Sequence, residues 1–103
     1  MKLWIDDVRP APDKYNWAKT VNEAKHHIEW WEMHCKRYDK EGLTIDIDHD
    51  AGGYASDGGD YIKLLDWLEE TGRNYPIRIH SNNGVGIANM RRIIQRNGWK
   101  EVM

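Results

Sequence analysis

The sequence predicts an α/β domain built on a parallel sheet, and three observations carry that reading. Short strand-like apolar runs alternate along the chain with stretches whose apolar residues recur at helical spacing. Alternation of this kind leads to parallel strands joined by right-handed crossovers. Three of the runs close on acidic or polar clusters: Trp4-Ile5-Asp6-Asp7, Ile45-Asp46-Ile47-Asp48-His49-Asp50 and Ile77-Arg78-Ile79-His80-Ser81. Parallel sheets bind ligands beyond the carboxyl ends of their strands, so these three ends point to one shared site.

Lys2 to Asp6 reads as the first strand, broken by Pro10 and Pro12, with a loop running to about Asn16. Trp17 to Val21 reads as a short second strand. Thr20-Val21-Asn22-Glu23 fits a capping box, in which hydroxyl and carboxylate satisfy free amides at a helix start. Val21, Ala24, Ile28, Trp31 and Cys35 then recur at helical spacing, and Gly42 closes the unit. Leu43 to Asp48 alternates apolar and polar residues, as a strand does. Ala51 to Gly59 is rich in Gly, Ser and Asp and reads as a loop. Tyr61, Leu64, Leu65 and Leu68 mark one face of a helix that Gly72 stops. Pro76 opens a strand over Ile77 to His80, and Asn82-Asn83-Gly84 reads as a turn. Ile87, Met90 and Ile94, with Ile93 beside them, form the buried stripe of a last helix ended by Asn97-Gly98. Trp99 to Val102 reads as a final strand.

The chain of 103 residues is long enough for one domain with a modest core, expected to span 1–103. Six Trp and no Phe make Trp a main source of aromatic burial. A net charge of -2 gives no bulk attraction to a polyanion, so no strong nucleic-acid surface is expected. Cys35 is the single cysteine and cannot form an internal disulfide. No apolar run approaches membrane-spanning length, and no signal peptide is visible, so a cytoplasmic location is the expectation.

The clusters carry recognisable chemistry. Asp6 and Asp7 stand where the chain turns out of a strand, and both carboxylates can face one site. A hard cation such as Mg²⁺ favours one or two carboxylates with retained waters and substrate oxygens. Asp is also common at plain turns. Asp48 ends its strand, where a nucleophile or metal ligand belongs. Asp46 lies one pleat inward, and if buried it is expected to pair with a nearby donor. His49 and His80 each end a strand, and two imidazoles there suit a general base and a general acid around one phosphorus. Either is equally compatible with a hydrogen-bonded structural histidine. His26, His27 and His34 fall on the polar side of a charged helix and read as solvated surface. Ser81 and the Asn82-Asn83-Gly84-Val85-Gly86 turn precede a helix, a ready anion site. Arg9 has the geometry to clamp a phosphate, or to form a surface ion pair.

An acid pair after the first strand, an Asp ending the third and a Ser ending the fourth resemble the receiver domain of two-component signalling. That resemblance assigns Asp6, Asp7 and Asp48 to Mg²⁺, Asp48 as phosphoryl acceptor and Ser81 as its contact. The receiver's Lys at the far end of strand five has no counterpart, since Lys100 begins the candidate strand, and the receiver's final helix is missing. A closer resemblance is to the cyclic-phosphate processing receiver domain. It rests on Ile5-Asp6-Asp7-Val8-Arg9-Pro10, Ile47-Asp48-His49-Asp50, Gly59 with Trp67-Leu68, and His80-Ser81-Asn82-Asn83-Gly84-Val85-Gly86. Asp46 departs from that pattern, where a small residue is more usual, as does the longer connection around His34 to Glu41.

The expectation is therefore a flavodoxin-like three-layer sandwich with a five-stranded parallel sheet in the order 2-1-3-4-5. The expected function is metal-assisted hydrolysis of a cyclic phosphate on RNA ends or a small nucleotide. Asp6, Asp7 and Asp48 would hold Mg²⁺ or Mn²⁺. Asp48, His49 and His80 would be catalytic, and Arg9, Ser81, Asn83 and Gly86 would hold the substrate. Two alternatives stand beside it. One is a signalling module phosphorylated on Asp48. The other is a non-catalytic binding module, such as a phage-encoded inhibitor of a host defence protein, contacting its protein partner through Trp30 and Trp31.

Overall fold

A computed structural model describes residues 1–103. The chain runs through β1 (Lys2–Ile5), β2 (Asn16–Ala18), α1 (Val21–His34) and β3 (Thr44–Ile47). A short 3₁₀ helix (Gly52–Ser56), α2 (Ile62–Glu70), β4 (Ile77–Ile79) and α3 (Gly84–Asn97) follow. The strands form one parallel sheet in the order β2-β1-β3-β4. Leu3 lies opposite Asn16 on one side and Ile45 on the other, and Ile45 lies opposite Ile77.

The sheet has four strands, not the expected five. Trp99 to Val102 meets β4 only at Ile77, whose N–H donates to Lys100 O at 3.0 Å and whose carbonyl accepts from Val102 N–H at 2.8 Å. β4 itself offers only Ile77–Ile79 for pairing. Trp99 is drawn into the core, and the Glu101 carboxylate is clamped by both Arg91 Nε and Nη2. These contacts hold the segment as a single bridge.

The layer count also differs. All three helices pack on one face, and a single cluster of 21 buried residues joins them to Leu3, Ile5, Ile45, Ile47 and Ile77. Trp4 is buried but lies outside that cluster. Right-handed crossovers explain this. The steps β2 to β3, β3 to β4 and β4 to the bridge all move the same way across the sheet, so their helices land on the same face. Only the β1–β2 connection moves the other way, and it holds no helix. Its backbone caps the second face instead, with Arg9 O accepting from Trp4 Nε1 at 2.9 Å. Tyr15 meets Trp4 edge-on, ring centroids 5.9 Å apart. The domain is thus two layers, one apolar and helix-covered, the other a polar sheet face closed by a loop.

Local signals set the helix starts. Thr20 is the N-cap of α1 in extended backbone, and its Oγ1 accepts from Glu23 N–H. The Glu23 carboxylate reaches back to Lys19 N–H rather than to Thr20, a capping box displaced by one residue. Because Thr20 caps and Val21 is already helical, β2 ends at Ala18 rather than Val21. Asn83 caps α3 through Gly86 N–H, so the expected turn is the helix start itself. The expected loop after β3 contains the 3₁₀ turn Gly52–Ser56. Burying each core Leu or Ile contributes about 1.5–3 kcal/mol. Away from the site, Glu32 of α1 takes a bidentate bond from Arg73 and one from Tyr75, tying the helix to the approach to β4.

Candidate active site

The three strand-end clusters meet at the carboxyl edge of the sheet. Asp6 leaves β1 with its Oδ1 accepting from Val8 N–H and Arg9 N–H, both at 2.9 Å, which turns the chain out of the sheet. Burial alone would raise its pKa. The two amides and His80 outweigh that and hold the carboxyl below the ordinary range. Asp7 lies against the 3₁₀ turn: a Cβ at Gly52 would stand 2.6 Å from Asp7 Oδ2, and Gly52 has a φ of +57°. Glycine is therefore needed there twice over, for backbone and for space. Asp48 follows β3 and its Oδ1 accepts from His49 N–H at 2.7 Å. Asp6, Asp7 and Asp48 each offer a carboxylate oxygen, and these lie within 4.8 Å of one another. An all-carboxylate oxygen set fits Mg²⁺ or Mn²⁺ chemically.

Tyr61 sits fully buried and donates to Lys19 O at 2.7 Å. Burial first, then the charges of Asp7, Asp6 and Asp48, hold its phenol well above the usual range, so it remains a neutral donor.

The two histidines occupy different environments. His49 Nδ1 lies 2.8 Å from Asp50 Oδ1. The hydrogen bond from His49, with a smaller one from Asn83, holds the Asp50 carboxyl below its ordinary range. An ionised Asp50 only accepts, so Nδ1 is the donor of this pair, and a neutral ring then has its lone pair on Nε2. The ring rests on α3, where a Cβ at Gly86 would stand 2.4 Å from His49 Cγ. Gly86 thus serves as the space the imidazole fills, and its N–H is already taken by Asn83.

His80 is nearly enclosed, 9% exposed. Its Nδ1 lies 2.6 Å from Asp46 Oδ1 and its Nε2 2.9 Å from Asp6 Oδ2. Arg78 Nη1 reaches the other Asp46 oxygen at 3.1 Å. Carboxylates only accept, so with both acids ionised the ring donates from both nitrogens and carries a positive charge. A chain of alternating charge therefore runs from Arg78 through Asp46 and His80 to Asp6, on the helix-free face. Neither nitrogen of His80 is free to meet a substrate. Asp46 has the pairing expected of a buried carboxylate.

The remaining expected residues fall at the rim. Arg9 is half exposed, with Nε 3.9 Å from Asp6 Oδ2. Ser81 Oγ accepts from Asn83 N–H, leaving its own proton to donate. The Asn83 side chain is spent on the α3 cap and on Asp50. Trp31 belongs to the core, so of the Trp30-Trp31 pair only Trp30 is exposed, at 59%. Lys100 lies against the start of β4, at the opposite edge of the sheet. Asp50, Gly52 and Trp4 were not expected in the site. For Asp50 the signal was present, as it directly follows His49. For Gly52 and Trp4 only the folded backbone supplies it.

The surface depressions lie elsewhere. One of about 540 Å³ is lined by Met1, Asn16, Glu23, His26, His27 and Trp30, beside α1. No helix is long and apolar enough to cross a membrane.

The family model of the cyclic-phosphate processing receiver domain matches residues 1–96. No curated protein and no solved structure matches the chain.

Proposed function

The chain belongs to the cyclic-phosphate processing receiver domain family, and from that premise we propose that it hydrolyses a cyclic phosphate ester of an RNA end or small nucleotide at the acidic edge, with a divalent ion. The observation that carries this reading is the pairing of His49 with Asp50 directly after Asp48, whose carboxylate converges with those of Asp6 and Asp7. Asp6, Asp7 and Asp48 are the residues that would hold Mg²⁺ or Mn²⁺. Such an ion polarises phosphoryl oxygens and neutralises the charge developing on them.

The chain's own groups do the rest. His49 Nε2 takes a proton from the attacking water. Water oxygen bonds to phosphorus as the ring P–O bond breaks, and the proton returns from His49 to the released oxygen. Asp50 fixes the tautomer and stabilises the imidazolium that forms. In this reading the Ser81 hydroxyl, whose proton is free to donate, and the half-exposed Arg9 guanidinium hold non-bridging oxygens. His80 acts through Asp6, as a positioning residue.

The test is incubation with Mn²⁺ and adenosine 2′,3′-cyclic phosphate, followed by product analysis. Ring opening that stops with chelator, and in Asp48→Asn, is expected. Turnover that persists in both would sink the proposal.

A second reading shares the acidic triad: Asp48 as acceptor of a phosphoryl group. The placement of Lys100 at the far edge weakens it, since the lysine nearest to the receiver pattern in sequence does not reach the Asp48 end of the sheet. Intact mass after incubation with acetyl phosphate separates the two. A stable phosphoryl adduct on Asp48 would favour signalling.

A further inference from the structure

Beside Asp7 the site has a second feature. Lys19 follows β2 as Asp6 follows β1, and its Nζ stands 4.7 Å from the Trp17 ring centroid and 5.9 Å from that of Tyr54. No carboxylate lies within ion-pair reach of that ammonium. Trp17 is fixed by its Nε1, which donates to Asp6 O at 2.8 Å. Tyr54 is held in the 3₁₀ turn that begins at Gly52, the residue against the Asp7 carboxylate. It is 40% exposed. Two aromatic faces and an unpaired cation therefore stand together, with Trp17 bonded to the Asp6 carbonyl and Tyr54 two residues beyond the glycine that abuts Asp7.

We infer that this edge is a nucleobase platform, on which a base stacks against Trp17 and Tyr54 while Lys19 pairs with the phosphate of the same nucleotide. The inference rests on the acidic edge being the phosphate site, and it names the substrate class as a nucleotide with its base, read without sequence preference. Aromatic faces accept any base, because every base has a π-face. An anionic ester approaching three carboxylates also needs a cation, and Lys19 supplies one that no protein acid neutralises. In the free protein the ammonium rests over the rings as a cation–π contact, which substrate phosphate would draw outward.

The experiment compares two probes in the presence of Mg²⁺: adenosine 2′,3′-cyclic phosphate and the base-less ribose 2,3-cyclic phosphate. Affinity is read by calorimetry, and the Trp17 indole N–H by ¹⁵N NMR, its signal assigned by its loss in Trp17→Phe. The nucleotide is expected to bind about tenfold or more tightly than the base-less ester, as a stacked base implies, and to shift the Trp17 signal. In Tyr54→Ala that ratio is expected to fall toward one, whereas Lys19→Gln is expected to weaken both probes alike. Equal affinity of the wild type for the two probes would overturn the inference, as would equal losses in Tyr54→Ala with the fold intact by circular dichroism. Selective nucleotide binding without turnover would support the platform and defeat the hydrolase reading. Turnover of both probes with an unmoved Trp17 signal would do the reverse, and binding of neither probe would overturn both.

Discussion

His80 lies flat on Trp4, ring centroids 3.7 Å apart and planes 6° apart. The same ring ties β4 to β3 and β1 through Asp46 and Asp6. Removing one partner of a buried ionic set leaves uncompensated charge, which costs about 3–5 kcal/mol. His80→Ala is thus expected to lose at least about 3 kcal/mol in urea unfolding at pH 7, with activity falling along with the fold. A loss below about 1 kcal/mol would show that the chain from Arg78 to Asp6 holds little together.

His49→Ala is expected to behave differently. The ring is partly exposed and its partner Asp50 is exposed, so Tm is expected to move by only a few degrees. A positioned acid–base group contributes about 10²–10⁴-fold, and kcat is expected to fall in that range. A variant with unimpaired kcat would remove His49 from the chemistry.

Gly86→Ala places a Cβ 2.4 Å from the His49 ring carbon, so the imidazole must move. The substitution is expected to cost about 1–3 kcal/mol, as overpacking does, and to lower kcat. In a His49→Ala background most of that stability cost is expected to vanish, because the clash partner is gone. A double-mutant cycle reads this directly, and additive losses would contradict the contact.

Gly52→Ala brings a Cβ within 2.6 Å of Asp7 Oδ2 in left-handed backbone. Mn²⁺ affinity, followed by electron paramagnetic resonance, is expected to drop about tenfold or more, and to drop further in Asp48→Asn. Wild-type affinity in both variants would separate these residues from any metal.

Glu32 gives a prediction in pH. The Arg73 hydrogen bond chiefly, with Tyr75 assisting against the cost of burial, lowers its pKa from 4.5. A depressed carboxyl contributes stability fully above its unfolded value and loses it as pH falls through the folded value. Glu32→Gln is therefore expected to be less stable than wild type at pH 7 by about 1–2 kcal/mol. The gap is expected to close as pH falls below about 4.5. Urea midpoints at pH 7 and pH 3 measure it, and a gap unchanged at pH 3 would exclude the ion pair as its source.

Much of this arrangement is readable along the chain. The Thr20 cap and the apolar stripes of the helices follow from local patterns, and the order of the central strands follows from the family resemblance. The gathering of Asp6, Asp7 and Asp48 is legible too, because parallel topology sends the ends of β1 and β3 to one edge. The second face was also legible in principle. Lys2, Trp4 and Asp6, with Thr44, Asp46 and Asp48, alternate with apolar residues, and a sheet covered by helices on both faces would read as continuous apolar runs.

The division of labour between the histidines was not legible. His49 and His80 both end apolar strands, and although His49 has Asp48 and Asp50 beside it, the acids that bind His80 are far away in sequence. His80 crosses the sheet to reach Asp6, 74 residues away, and both its nitrogens are consumed. His49 bonds its own neighbour, rests against Gly86 and keeps one nitrogen free. Residue type and strand ends follow from neighbours in sequence. Which nitrogen is left to react depends on distances between segments that only packing brings together.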